Sequence, residues 1–159
     1  MIQIKSERDE AMHRLLMKTF LTTFLLVMLL FMLPAEKVFS ATSAGKDAAA
    51  IEAAELFVGL IDLGDVDRSW EKASTLFADR FSKDEWSAFV SGARPEFGQV
   101  LQRTLKGSQY VTSIPGAPAG EYVLILFISS FEHRDSAVET VTATLDPDGR
   151  WRVAGYSFQ

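Results

Sequence analysis

The sequence predicts an α+β fold in which N-terminal helices pack on a curved antiparallel sheet of three or four strands. Apolar residues recur at helical spacing between residues 47 and 101. From residue 103 onward they alternate with the two-residue period of strands. Short turns join these strands and make neighbouring strands antiparallel, and helices followed by a strand meander form an α+β arrangement.

The first helix is predicted to begin at Asp47, after a short flexible linker over residues 41–46, and to end at Gly64, where glycine can act as a C-terminal cap. The residues expected on its solvent face are Glu52, Glu55, Gly59 and Asp62, and those expected on its buried face are Ala53, Leu56, Phe57, Leu60 and Ile61. A second helix is expected to start with Asp67 as its N-cap. Its predicted buried residues are Trp70, Ala73 and Phe77.

The third helix carries the clearest start signal. Ser82 and Glu85 have the spacing of a capping box, in which each side chain bonds the backbone N–H of the other residue. Phe81 and Trp86 have the spacing of a hydrophobic staple. The buried face is predicted to hold Trp86, Phe89 and Val90. A short fourth helix is expected at Arg94-Pro95, because proline is favoured at the first helical position; its inner face would hold Phe97, Val100 and Leu101.

Four strands are predicted in the second half of the chain, at residues 103–112, 121–131, 137–145 and 150–158. The second is apolar on both faces, which indicates a central strand covered on both sides. A rigid loop with two prolines and two glycines, residues 114–120, precedes it. The sequence Asp146-Pro-Asp-Gly149 is typical of a turn, and Gly155 indicates a bulge or a close approach between strands.

A fourteen-residue stretch without charge, residues 20–33, follows the basic Lys18 and precedes small residues from Ser40. This is the pattern of a secretory signal, whose apolar core is roughly 7–15 residues long, whereas a spanning helix needs about 20. We therefore predict a signal peptide over residues 1–40 and a periplasmic or secreted protein. The alternative is an uncleaved leader that anchors the chain in a membrane.

Cleavage is predicted after Ser40, with Val38 and Ser40 at the −3 and −1 positions; cleavage after Ser43 is the alternative. The first eleven residues are acidic where a signal should be basic, so translation from Met12 is an alternative start. The 119 residues after Ser40 are expected to form a single α+β domain over residues 47–159.

The composition after Ser40 excludes some classes of function. This part contains 11 Lys and Arg against 17 Asp and Glu, a net charge of −6. Because nucleic-acid affinity depends on neutralising phosphates, we predict no nucleic-acid partner. The chain has no cysteine and only His133 outside the leader, so no metal site and no cofactor are predicted. Asp146 and Asp148 lack the further oxygen ligands of a calcium loop.

An ordered set of segments resembles a family of exported bacterial proteins known as domain of unknown function 4019. The resemblance covers about residues 47–158. The segments that carry it are Trp70 to Ser74, Trp86, Arg94-Pro-Glu-Phe-Gly98, Arg103, Pro115 to Tyr122, Val138-Glu-Thr140 and Gly149 to Tyr156. That family is similar to the cystatin-like and NTF2-like group, with helices on a curved antiparallel sheet. The resemblance implies no activity, cofactor or catalytic residue.

The candidate site rests on Glu139, which shares a strand face with Val141, Ala143 and Leu145 and is therefore expected to point into the interior. A buried carboxylate needs a partner, because an unpaired buried charge is costly or changes its pKa. Arg94 and Arg103 are the candidate partners. These residues would form either a polar patch in a ligand pocket or a salt bridge that ties the helices to the sheet.

Two other patterns have a functional and a structural interpretation. Ser69 and Lys72 match the serine–lysine spacing of penicillin-binding enzymes, but the companion motifs are lacking, and a helical turn with a surface lysine explains the match. The aromatic residues at 70, 86, 122, 127 and 151 would line a pocket or fill the core, and we favour the core.

Two functions from different classes follow from the sequence. The favoured one is an exported, non-catalytic binding or accessory domain for an unknown protein or small ligand. The alternative is a small-pocket enzyme of NTF2-like type that uses a buried carboxylate as general acid or base; its catalytic residues are unknown. A deep pocket around Glu139 would favour the enzyme, and a filled core beside an open sheet face would favour the binding domain.

Overall fold

Helices precede strands, and the predicted α+β class is confirmed. A computed structural model describes residues 43–159 of the chain. The elements in chain order are the helices α1 Ser43–Asp62, α2 Val66–Lys72, α3 Thr75–Ala78 and α4 Lys83–Ala93, a 3-10 turn Arg94–Glu96, and the strands β1 Val100–Val111, β2 Tyr122–Phe131, β3 Arg134–Leu145 and β4 Trp151–Phe158. The predicted leader, the alternative start at Met12 and the cleavage site after Ser40 lie outside the described residues.

The four strands form one sheet in the order β1-β2-β3-β4, with every neighbouring pair antiparallel. The meander is the simplest consequence of short turns between consecutive strands. Between β3 and β4, Thr142 pairs with Gly155 while Ala143 pairs with Val153, so that Ala154 is an extra residue on β4. The bulge predicted at Gly155 is therefore confirmed.

The core lies between α1 and one side of the sheet, which we call the inner face. Phe57, Val58 and Ile61 of α1 pack against apolar side chains that project from β2, β3 and β4. Those strand residues are Val123, Ile125, Phe127, Val141, Ala143, Val153 and Tyr156. Phe77 and Trp86 extend this core through the shorter helices, so the inner face is filled.

The opposite side of the sheet, which we call the outer face, is defined by strand register. Because side chains alternate along a strand, residues next to the inner-face positions point the other way. The outer-face residues include Gln102, Thr104 and Gln109 of β1, Leu124, Leu126 and Ile128 of β2, Val138, Thr140 and Thr142 of β3, and Ser157 of β4. Leu126, Ile128 and Thr140 are only half-buried. Within residues 43–159 the helices pack on the inner face. The outer face has no described helix against it, although Tyr122, Leu124 and Thr144 on that face are buried.

The first two predicted helices differ from the structure in four places. Helix α1 begins at Ser43, so residues 43–46 of the predicted linker are helical and the predicted start at Asp47 is wrong. Leu56 was predicted to be buried but is 55% exposed, because the packed stripe runs through Ala50, Ala54 and Phe57. Helix α2 has Asp65 as its N-cap instead of Asp67. A break after Lys72 also places Phe77 in the separate helix α3.

The capping box of α4 is confirmed, since both reciprocal bonds between Ser82 and Glu85 are present. Trp86 and Val90 are buried as predicted, whereas Phe89 is 46% exposed and stacks on the indole of Trp86. The fourth helix is only the 3-10 turn Arg94–Glu96. Strand β1 already begins at Val100, which explains why the predicted inner-face residue Leu101 is 67% exposed.

Candidate functional site: a buried carboxylate–arginine cluster

Glu139 is completely buried on the inner face of β3, as the strand alternation predicts. Its Oε1 accepts hydrogen bonds from Arg103 Nε at 2.8 Å and from the hydroxyl of Ser129. Its Oε2 accepts from Arg103 Nη2 at 3.1 Å and from the hydroxyl of Tyr156 at 2.6 Å. An ionised carboxylate offers about four lone-pair sites, and all of them are occupied here.

Arg103 connects this carboxylate to helix α1. Its guanidinium donates to Glu139 on one side and, through Nη1 at 2.5 Å and Nη2 at 3.2 Å, to Asp62 on the other. Burial lowers the pKa of Arg103, but the bonds to Asp62 and Glu139 raise it by more, so its pKa lies above the ordinary value. Arg103 therefore keeps its charge and ties α1 to the sheet. The predicted pair of Glu139 with Arg103 is confirmed.

Arg94, the other predicted partner of Glu139, binds a different carboxylate. Its Nη2 donates to Asp62, and its guanidinium lies over the ring of Phe131 with 5.0 Å between the guanidinium carbon and the ring centroid. Arg94 begins the 3-10 turn that follows α4, so the Asp62 contact joins the end of α1 to that turn. The two arginines therefore meet at Asp62, and Glu139 contacts only one of them among the described residues.

Three members of the cluster were not predicted from the sequence: Asp62, Ser129 and Tyr156. Asp62 was assigned to the solvent face of α1, but its side chain is only 14% exposed. One signal was available, because an acidic residue in the last turn of a helix opposes the helix dipole and needs a cation nearby. Ser129 and Tyr156 lie on strands adjacent to Glu139, and only the strand register brings them to its carboxylate.

The geometry of the cluster suits fixed ion pairs and does not suit proton transfer. Two carboxylates face two guanidinium groups, and each Glu139 oxygen already has two donors. Burial and the neighbouring Glu139 charge raise the pKa of the Tyr156 hydroxyl well above its usual value, so that hydroxyl keeps its proton. A general base needs a free lone pair aimed at a substrate, and Glu139 has none. The arrangement favours the structural interpretation of Glu139.

Two surface depressions lie away from this cluster. One, of about 360 Å³, is bordered by Thr75, Pro147 and Arg152, and Arg152 already binds Asp146 at 2.9 Å and Asp148 at 2.6 Å. The bond from Arg152 lowers the pKa of Asp148 to about 2. The other, of about 330 Å³, lies between α1 and the start of β4. Both are open to solvent, and neither is lined by a residue of the buried cluster.

The serine–lysine match and the aromatic residues have structural roles. Ser69 is fully buried; its hydroxyl donates to the carbonyl of Val66 at 2.6 Å and accepts the indole N–H of Trp86 at 2.9 Å. Lys72 is exposed, one turn further along α2. Trp86 and Phe127 are buried in the core, and Trp70 and Trp151 pack against it while partly exposed, so the core interpretation holds for these four. Tyr122 is buried against the loop before β2, and Trp151 also borders the second depression. Within residues 43–159 no helix is long and apolar enough to cross a membrane, and no three potential ligands cluster around a metal position.

Asp47, near the start of α1, is predicted to make stability depend on pH. One of its carboxylate oxygens is buried without a hydrogen-bond partner, and burial raises its pKa although a bond from Ser108 lowers it. The folded chain then holds this proton to higher pH than the unfolded chain does. The stability that Asp47 contributes is therefore fully present below the pKa that Asp47 has in the unfolded chain. It is lost as the pH rises through the pKa that Asp47 has in the folded chain.

Urea unfolding of wild type and Asp47→Ala between pH 3 and pH 7 measures this effect. We expect the stability of wild type relative to the variant to fall as pH rises. Leu56→Ala, at an exposed position of the same helix that has no titratable group, is the control and should show no such trend. A difference between wild type and Asp47→Ala that is constant with pH would contradict the prediction.

Comparison with known proteins identifies the family. The family model described as "Protein of unknown function (DUF4019)" matches residues 53–156, which include the second half of α1, all of the buried cluster and nearly all of the sheet. No curated protein and no solved structure matches the chain, so its likeness to cystatin-like and NTF2-like folds stays a prediction. The family match covers well over half of the sequence, and the chain therefore belongs to the DUF4019 family.

Proposed function

We propose that this chain is an exported, non-catalytic binding domain whose binding surface is the outer face of the sheet. The observation that carries the proposal is the contrast between the two faces. The inner face is filled by helices, and its buried acid is fully bonded. The outer face has no helix of residues 43–159 packed against it, although its central strand is rich in aliphatic residues. Leu126, Ile128 and Val138 are neighbours on this face and keep part of their surface exposed, and exposed apolar surface supports an interaction site there.

The chemistry of the cluster argues against the enzymatic alternative. The sequence predicted Arg94, Arg103 and Glu139 as ligand-binding residues. Their charged groups are paired within the cluster, because Arg103 binds both Glu139 and Asp62 and Arg94 binds Asp62. A substrate would have to break these bonds to reach Glu139, at the cost of leaving buried charges unpaired. We assign these residues to stability and place binding elsewhere.

Export is part of the proposal and rests on the leader pattern. Residues 20–33 form the apolar core, and small residues follow near Ser40. Cleavage after Ser40 would keep all of the described residues of α1, Ser43–Asp62. Cleavage after Ser43 would remove the first residue of α1. The described residues of the helix therefore favour the earlier cleavage site, and the leader pattern supports a periplasmic or secreted domain.

Site-specific photo-cross-linking in the producing cells tests the proposal. A photoreactive amino acid replaces Ile128 on the outer face or, as the control, the half-exposed Leu56 on α1. We expect adducts from position 128 and none from position 56, because only the outer face is a binding surface. Mass spectrometry of the recovered chain should also give an N-terminus between Ala41 and Ala44. Adducts at neither position, or recovery with residues 20–33 attached, would contradict the corresponding part of the proposal.

A further inference from the structure

Strand β1 is an open edge of the sheet. It pairs with β2 on one side, and the strand order places no described strand on its other side. The opposite edge is partly covered, because the carbonyl of Val153 on β4 accepts the N–H of Ser74, at the start of α3, at 2.9 Å. Residues 101, 102 and 104–107 of β1 are all exposed. An edge strand presents a row of unpaired backbone N–H and C=O groups, and another extended strand is the partner that satisfies them.

Exposed leucines gather at this edge. Five large hydrophobic side chains are exposed in the described part of the chain, and three of them lie around Arg103. Leu101 and Leu105 flank Arg103 on β1, two residues away on either side. Leu63, the most exposed of the five, follows Asp62, whose carboxylate binds the Arg103 guanidinium. The edge therefore combines unpaired backbone groups with apolar side chains that a second strand would cover.

The order of side chains from Leu101 to Leu105 suits pairing with a second copy of the same strand. The segment reads Leu-Gln-Arg-Thr-Leu, with leucine at both ends and a neutral polar residue on each side of Arg103. In an antiparallel pair about a two-fold axis at Arg103, Leu101 of each copy lies opposite Leu105 of the other. Gln102 likewise lies opposite Thr104. Directly opposite side chains are the pairs that stabilise a sheet, so the segment is complementary to itself.

Irregularities in β1 restrict where this pairing can form. The register against β2 shifts between Val100 and Gln102, and it shifts again between Leu105 and Gly107. Because bulges of this kind disrupt a ladder, pairing is confined to the run between them. Opposite residues of one sheet share a face, so the two-fold axis passes through a residue of that run. Arg103 is the residue that brings leucine opposite leucine.

The charges of the segment do not oppose the pairing. Lys106 of one copy lies opposite Val100 of the other copy in this register. The two Lys106 side chains are then about 20 Å apart along the strands, more than twice the Debye length of about 8 Å at physiological ionic strength. Arg103, at the axis, is bonded to Asp62 and Glu139 within its own copy. Neither cation therefore faces its counterpart unpaired.

We propose that two copies of this chain join through β1, in an antiparallel pair centred on Arg103, and form one continuous sheet of eight strands. The two-fold axis is perpendicular to the sheet, so the helices of both copies lie on one side of it. The two outer faces then join into a single surface on the other side. This inference goes beyond the proposed function, which one copy can perform alone through its own outer face.

Sedimentation equilibrium of the chain as cells process it tests the dimer. Wild type is expected to be dimeric. Leu101→Glu and Leu105→Lys, each alone, should raise the dissociation constant at least about tenfold, because each places a charge opposite a leucine. The double variant Leu101→Glu/Leu105→Lys should bind more tightly than either single variant, because it sets opposite charges across both leucine pairs. Leu56→Glu, an exposed position of α1, is the control and should leave the dimer intact.

Circular dichroism checks that every variant is folded. Wild type that is monomeric at all concentrations would overturn the proposal. So would a dimer that resists both single substitutions, or a double variant that is no tighter than the single ones, because the rescue depends on the register centred on Arg103.

Disulfide capture tests the register without adding a charge, since the native chain has no cysteine. The variants Gln102→Cys and Thr104→Cys, both at exposed positions, are mixed and mildly oxidised. Position 102 of one copy faces position 104 of the other, so the mixture should yield clearly more cross-linked dimer than either variant alone. A mixture of Leu56→Cys with either variant is the control. Equal yields in all samples, or no cross-link in any, overturn the inference. If photo-adducts at position 128 persist while these dimers are absent, self-association fails and the proposed function stands.

Discussion

Arg103→Ala is expected to destabilise the domain by about 3–5 kcal/mol, the range for breaking a buried ion pair. The substitution leaves Glu139, which is fully buried, without its cation, and leaves Asp62, which is 14% exposed, with Arg94 alone. Urea unfolding followed by circular dichroism measures the loss. Lys106→Ala, an exposed residue of the same strand, is the matched control and should change stability by less than about 0.5 kcal/mol.

A double-mutant cycle separates this pair from a general loss of packing. Arg103→Ala and Glu139→Ala together should cost less than the sum of the single changes, since residues in direct contact are not additive. Arg94→Ala combined with Glu139→Ala should be closer to additive, because Arg94 binds Asp62 and not Glu139. Strict additivity of Arg103 with Glu139 would show that their bonds contribute no net stability. Glu139→Gln should also destabilise the domain. If Glu139 were instead a catalytic or ligand-binding residue, the glutamine variant would fold normally.

Trp86→Ala is the second substitution with a large expected effect, about 3–5 kcal/mol. The indole is only 2% exposed and packs edge-on to Phe77, with ring centroids 5.0 Å apart. Its N–H donates to the buried hydroxyl of Ser69, so the variant removes a large apolar group and also leaves a polar group without its donor. Thermal unfolding and urea unfolding measure the change in the free energy of unfolding.

Phe89→Ala is the matched control for Trp86, because Phe89 stacks on the same indole from a position that is 46% exposed. Its loss should cost clearly less, since part of its surface already faces solvent. Equal costs for the two variants, or an unchanged unfolding midpoint for Trp86→Ala, would contradict the assignment of Trp86 as the core anchor of α4.

Local signals predicted the parts of the fold that depend on neighbouring residues. The capping box of Ser82 and Glu85, the turn at Asp146 to Gly149 and the alternation that buries Glu139 all act within a few residues. The errors have a common cause. Leu56 and Phe89 have the helical spacing of buried residues, but a helix buries only the stripe that meets a neighbour, and the width of that stripe depends on packing.

The sequence by itself determined the α+β class, the order of helices and strands, and the need of Glu139 for a cation. Periodicity, turn chemistry and the cost of a buried charge are properties that the chain carries locally. Only the tertiary structure decided that Arg103 is that cation, that Arg94 turns to Asp62 instead, and that Ser129 and Tyr156 complete the bonds to Glu139. Strand register and helix position set these choices, because they bring together atoms from residues 62, 103, 129, 139 and 156 that no sequence period relates.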